Sequence, residues 1–246
     1  METSELLTTG AAALLFAAVF LFGVRIHPFR RYIDRRSVIS FSAGMSIAYV
    51  FVHLMPELHE ARSSFAESMS VSLRYEGMAI YLFALVGFLV FYGLDHLRKR
   101  LGKSEGEGGD EDGRAFLLHI GGFAIYVGFV SCLLVNSLEE TEVSIVLYAA
   151  AMALHFLSVD HALGGEYGGT YRRRGRFVLA GMAVLGWVAG LVFPLPVHVL
   201  APLVAFVSGA IVMNSTIMEL PSEKDGRFVP FATGGVVYGL ILLPLG

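Results

Sequence analysis

The sequence predicts an all-α polytopic membrane protein of eight transmembrane helices, in a 3+2+3 arrangement with inverted repeats and both termini outside. Three observations carry this. Only 16% of the 246 residues are charged, against about 25% in a soluble domain, and mean hydropathy is +0.66. The shortfall is concentrated in uncharged runs of the ~20 residues a helix needs to cross the hydrocarbon. The basic residues cluster in alternate turns between those runs.

The first run, Leu6–Ile26, follows an acidic start with Glu2 and Glu5. A secretory signal has a basic start and a shorter apolar core, so the run is expected to stay in the protein. Arg30, Arg31, Arg35 and Arg36, with Arg25 just before them at the run's end, separate it from the second run, Val38–Glu57. The third run is Glu76–Leu97, and segment 98–114 follows with Arg98, Lys99, Arg100, Lys103 and Arg114. Its centre, Glu105 to Asp112, is glycine and carboxylate and cannot bury a core, so it reads as a flexible cytosolic linker; weak cation collection by its carboxylates is the alternative. Ala115–Val135 and Val143–Gly164 are the fourth and fifth runs. Arg172, Arg173, Arg174 and Arg176 precede the sixth, Phe177–Leu195. The seventh is His198–Leu220, and Lys224 and Arg227 precede the eighth, Phe228–Leu245. Of all the Lys and Arg, only Arg62 and Arg74 fall on the other side, and basic loops stay in the cytosol. The alternating pattern of a transmembrane barrel is absent.

The chain 1–246 reads as a single membrane domain. Phe41-Ser-Ala-Gly44 has Pro56 twelve residues after its glycine, and Phe206-Val-Ser-Gly209 has Pro221 at the same spacing. The second and seventh runs cross in opposite directions, which makes them inverted copies, as in many secondary transporters. Runs 1–3 and 6–8 form the halves, with 4 and 5 between. A lone cysteine, Cys132, cannot make an intramolecular disulfide. A net charge of −3 with no basic tail leaves no footprint for nucleic acid. Ser158, Asp160 and His161 hint at an intramembrane zinc hydrolase. The last run has no histidine and no nucleophilic triad is readable, so the chain is not expected to be an enzyme.

Ionisable groups deep in a bilayer are costly and normally face a cavity or a partner. His53 and Glu57 are four apart and share a helix face, with Pro56 between them freeing a backbone carbonyl near residue 52. Together they could receive a cation, or simply reach water at the outer helix end. His155 lies near mid-membrane, with Asp160 and His161 in the inner third. Imidazole and carboxylate suit zinc and related divalent metals. His155 and Asp160 are about 140° apart on a regular helix, so one ion between them needs a distortion; an ion pair of Asp160 with another helix is the alternative. His119 is placed near the cytosolic edge. Asn214 lies near mid-membrane, where a hydrogen bond between helices is its ordinary use. Glu219 shares a face with Ser215 near the inner end, where Pro221 breaks the turn.

Phe41-Ser-Ala-Gly-Met-Ser-Ile-Ala-Tyr-Val-Phe-Val-His-Leu-Met-Pro-Glu57 resembles the second helix of the ZIP family of divalent-metal transporters, which typically ends His-Leu-Leu-Pro-Glu. The run from Phe206 to Glu223 is similar to that family's seventh helix. The resemblance implies eight helices, outside termini, a variable 3–4 loop and inverted halves. In the family pattern, helices 4 and 5 carry the transport site, as in His-Asn-x-Pro-Glu-Gly. Here His155 is kept, but Phe156, Ser158 and Val159 stand at the next ligand, proline and carboxylate positions, and Asp160 is one position late. In helix 4, His119 is kept and Phe123 replaces an acidic residue. The two-metal site is therefore not carried over whole. The implied function is alternating-access transport of a zinc-like divalent cation toward the cytosol. Its metal ligands would be His155, Asp160 and His119, its entrance His53 and Glu57, and its exit Asn214 and Glu219. The alternative is a transport-inactive ZIP-like protein with a regulatory or interaction role. No prosthetic group is implied. The expected partners are the lipid bilayer, the transported metal ion and a second copy in a homodimer, and the expected place is the plasma membrane.

Overall fold

A computed structural model of the chain describes residues 3–23, 35–69, 78–101, 110–136, 142–219 and 227–243. Among these residues every regular element is helical. The elements are α1 (Thr3–Phe22), α2 (Arg35–Tyr49), α3 (Met55–Met69), α4 (Ala79–Leu101), α5 (Asp110–Leu133), α6 (Glu142–Thr170), α7 (Arg176–Val192), α8 (Val197–Met213) and α9 (Phe228–Leu242). Wider π-helical turns occupy Val50–Leu54, Tyr171–Gly175 and Asn214–Glu219.

Six described stretches are long and apolar enough to cross a membrane: Thr3–Phe22, Ser40–Ser68, Ala79–Arg100, Gly113–Leu133, Ile145–Val192 and Val197–Thr216. Phe228–Leu242 is apolar but shorter. Three boundaries differ from the sequence expectation. The second helix does not stop at Glu57 but continues to Met69. Pro56 lacks an N–H and crowds the carbonyl four residues back, and the π-turn at Val50–Leu54 takes up that defect, with the Met55 N–H bonded to the Val50 carbonyl. Beyond it, Leu58, Ala61 and Ala66 are buried with helical spacing. The 3–4 linker is shorter than 98–114, because α4 runs to Leu101 and α5 begins at Asp110; its acidic centre lies mostly outside the described residues. The fifth and sixth expected runs join in one helical stretch whose break is at Gly168, at φ 50° and ψ −116°. A left-handed φ carries little penalty only for glycine.

Packing follows the small residues, as it does where lipid removes the hydrophobic drive between helices. A Cβ on Gly44 would collide with the Phe231 carbonyl, and one on Gly234 with the Phe41 carbonyl, so α2 and α9 touch backbone to backbone. The same joint recurs between α8 and α4: a Cβ on Gly209 would strike the Ala84 carbonyl, and one on Gly87 the Phe206 carbonyl. Phe41/Gly44 and Phe206/Gly209 are the matched residues of the sequence repeat, and each repeat helix passes into a π-turn after its glycine.

α1 runs alongside α6 in the same direction. Phe16 and Phe20 meet Phe156 at ring-centroid distances of 5.1 and 5.2 Å, and Gly23 abuts Asp160. α7 runs the other way, so its late residue Trp187 donates its Nε1–H to the Oγ1 of Thr9, near the start of α1, at 3.2 Å. The bundle thus has two tightly packed groups. One is α1, α5, α6 and α7; the other joins the α2–α9 pair to α3, α4 and α8 through the continuous helix formed by α2, its π-turn and α3. The seam between them is made by the thinner contacts of α4 with α5, α2 with α6 and α5 with α8.

A candidate site at the seam between two helix groups

The chemistry-bearing residues are set by the seam. His155 on α6 is 1% exposed, and a buried imidazole needs partners for both nitrogens. The Tyr126 hydroxyl, on α5, lies 3.0 Å from its Nε2. On the other face Ser46 Oγ, on α2, lies 3.5 Å from its Nδ1, and Ser215 Oγ lies 3.1 Å from Ser46 Oγ. Tyr126, His155, Ser46 and Ser215 form a line of polar groups that starts in one helix group and ends in the other. All four side chains are buried. Each hydroxyl can both donate and accept, so the hydrogen bonds along the line can run in either direction.

Next to Ser215, Asn214 is 1% exposed, and neither atom of its amide has a hydrogen-bond partner among the described residues. The bridging bond expected of it is therefore not made. Tyr49 is equally buried, and its hydroxyl too has no hydrogen-bond partner among the described residues. Leaving a buried polar group unpaired costs about 1–3 kcal/mol, and such groups in a native fold call for an explanation. Tyr49 lies five residues after Gly44, and Asn214 five after Gly209. They occupy the same position of the repeat, each at the start of a π-turn, and π-turns are frequent at functional sites.

The three expected metal ligands are not brought together. His155 faces Tyr126 and Ser46. Asp160 is 1% exposed and its Oδ1 accepts from the Tyr171 hydroxyl at 2.6 Å; Oδ2 has no hydrogen-bond partner among the described residues and lies against Gly23. Tyr171 stands on the π-turn beyond Gly168, so this bond pins the chain reversal back onto α6. The 140° between the two side chains on a regular helix is kept, because no distortion of α6 intervenes between them. His119 is 2% exposed, and its Nδ1 lies 2.9 Å from the Tyr167 hydroxyl, with Phe123 at a ring-centroid distance of 5.0 Å. Among the described residues no three His, Cys, Asp or Glu gather as a metal-holding group.

At the expected entrance His53 and Glu57 are both half-buried, and the His53 ring lies tilted on Tyr49 at 5.1 Å. Glu219 ends a π-turn, and its side chain lies outside the described residues, as does Pro221. Sequence reasoning missed Tyr126, Ser46 and Tyr49 altogether. The only signal for them was indirect: a histidine placed at mid-membrane has to find two hydrogen-bonding neighbours on other helices. Comparison of the chain with models of known protein families and with curated protein sequences finds no match.

Proposed function

We propose that this chain is a ZIP-like carrier that moves a zinc-like divalent cation toward the cytosol by alternating access, with the cation passing His155 at the seam. The observation that carries the reading is the line from Tyr126 through His155 to Ser46 and Ser215. It spans two helix groups, one of which carries both repeated glycine joints, so relative movement of the groups opens and closes the site itself. The donors are one imidazole, three hydroxyls and the nearby Asn214 amide. Zinc accepts nitrogen and oxygen ligands, and a donor set without a carboxylate holds a dication weakly, which suits passage better than storage. Asp160 and His119 take supporting places in this reading, as anchors of the α6–α7 reversal and of the α5–α6 contact.

The same reading has eight crossings in the 3+2+3 order. Its support is the reversal at Gly168, the opposite courses of α6 and α7 along α1, and the parallel course of α9 beside α2. At about 1.5 Å per residue, α9 spans about 22 Å, short of the ~30 Å core by an amount that bilayer thinning accommodates. Basic residues assign the Arg98 and Arg172–Arg174 end to the cytosol and both termini to the outside. Residence in the plasma membrane and pairing with a second copy belong to the same proposal.

A second reading, a transport-inactive ZIP-like protein, draws on the fact that His155 and Asp160 already have protein partners. Uptake of zinc, cobalt, manganese and magnesium into proteoliposomes, followed with a trapped metal-sensitive dye, separates the two. The carrier reading expects saturable zinc uptake that His155→Ala abolishes and Asp160→Asn, which still accepts from Tyr171, largely retains. Flux of every cation equal to that of protein-free vesicles contradicts it and leaves the inactive reading.

A further inference from the structure

Glu166 is eleven residues beyond His155 on α6. At 100° and 1.5 Å per residue this places it about three turns, or about 16 Å, nearer the arginine-rich end and within about 20° of the same helix face. That face is the one His155 turns to the seam. Arg98, on α4 of the opposite helix group, forms an ion pair with Glu166 through its Nη1. The guanidinium is held in place from its own helix: Asp95, 5% exposed, accepts from Arg98 Nη2 at 2.7 Å and from Nε at 3.2 Å. Asp95 also accepts from Lys99 Nζ at 2.6 Å. Arg98 is thus oriented by Asp95 and spends its remaining nitrogen on the other group. Its side chain is 17% exposed and that of Glu166, an exposed residue, 27%, so the pair is partly shielded on the Arg98 side and wet enough to open. Beside it, the His119–Tyr167 bond ties α5 to the same end of α6. Two residues past Glu166 comes Gly168, the one position among the described glycines with a left-handed φ.

We propose that Arg98 and Glu166 are the inner gate of the His155 site, an ion-pair clasp across the seam that keeps this end closed until the two helix groups part. Asp95 is a positioning residue for the clasp. The inference rests on the carrier reading for its purpose, but the clasp itself is tested without transport. Ala162, seven residues after His155, lies on the same face between the site and the clasp. In a Cys132→Ser background, Ala162→Cys is the reporter, and its alkylation by a membrane-impermeant maleimide from the arginine-rich side is timed in proteoliposomes. Glu166→Gln and Arg98→Gln are each expected to raise the rate roughly five- to tenfold, the shift that loss of one partly shielded ion pair gives a two-state opening. The double variant is expected to add nothing to either single one, since both remove the same bond. Lys99→Gln, which leaves Glu166 and Arg98 paired, is expected to leave the rate unchanged. A rate unaltered by Glu166→Gln, or a double variant that multiplies the two effects, overturns the clasp. Zinc uptake measured on the same vesicles separates the two proposals. Faster labelling without uptake in any variant keeps the clasp and refutes the carrier, whereas normal uptake with unaltered labelling keeps the carrier and refutes the clasp.

Discussion

At the residue scale the fold turns on atoms that are absent. Gly44, Gly87, Gly209 and Gly234 each lie against a carbonyl of the facing helix, where an added Cβ would collide with it. Gly44→Ala or Gly209→Ala forces those backbones apart, at about 1–3 kcal/mol for an overpacked contact. Each should lower the melting temperature in detergent by several degrees, at roughly 2–4 °C per kcal/mol for a chain of this size. Gly93→Ala and Gly181→Ala, whose Cβ atoms would meet nothing within 4 Å, should leave it unchanged; equal effects at all four positions would mean that helix propensity and not close approach governs the result. Tyr126→Phe strips His155 Nε2 of its hydroxyl partner, a loss of about 1–3 kcal/mol if the nitrogen stays buried unpaired. Thermal unfolding of that variant beside His155→Ala and the double variant measures the coupling, which is expected to be well above the few tenths of a kcal/mol of independent sites. His155 was legible from the sequence because imidazole in an apolar run needs a reason. Its partners were not, because serine and tyrosine are unremarkable in such runs until the helices are placed. Asp160 drew notice for the same reason as His155, yet its partner is Tyr171 of its own reversal, eleven residues on, which no spacing rule singles out.

At the element scale the apolar runs were legible because a bilayer demands them, and their ends were not. Pro56 reads as a helix end, but a π-turn absorbs its missing N–H and the helix goes on to Met69. Pro56→Ala should therefore not shorten the helix. It removes the reason for the wide turn, and hydrogen exchange of the amides over 50–55 is expected to slow as ordinary i to i+4 bonds replace it; unchanged exchange would detach the π-turn from the proline. Gly164 and Gly165 read as the end of the fifth run, whereas only Gly168 takes a left-handed φ. At the other end of the bundle Asn136 closes three contacts at once. Its Nδ2–H donates to the carbonyls of Gly190 at 3.2 Å and Cys132 at 3.3 Å, and its Oδ1 accepts from the Leu195 N–H at 3.0 Å. It thereby fixes the end of α5 to the link between α7 and α8. Asn136→Ala leaves those groups unpaired and should cost about 1–3 kcal/mol, read as a lower unfolding midpoint. No loss at all would show that water replaces the amide.

At the scale of the whole molecule, the match between Phe41/Gly44 and Phe206/Gly209 is the feature that sequence and structure share most closely. Matched Phe and Gly positions at one spacing in the sequence become two equivalent glycine joints, two π-turns and two buried polar groups without hydrogen-bond partners among the described residues, Tyr49 and Asn214. What the sequence did not carry is the division into two groups and the seam between them, since that is decided by which small faces meet. The three separate ionisable groups expected to share a metal instead serve three different contacts, and only His155 lies on the line across the seam. A carrier with such a seam exchanges its cargo between the two sides one ion at a time, which neither an open pore nor an inert scaffold does. The most direct measurement is counterflow: vesicles holding the protein and preloaded with unlabelled zinc are diluted into a trace of radioactive zinc. The account expects the tracer to rise transiently above its equilibrium level inside wild-type vesicles and His155→Ala to abolish the overshoot. A tracer course in wild-type vesicles that matches protein-free ones would contradict transport, and a rapid rise to equilibrium without overshoot would contradict alternating access.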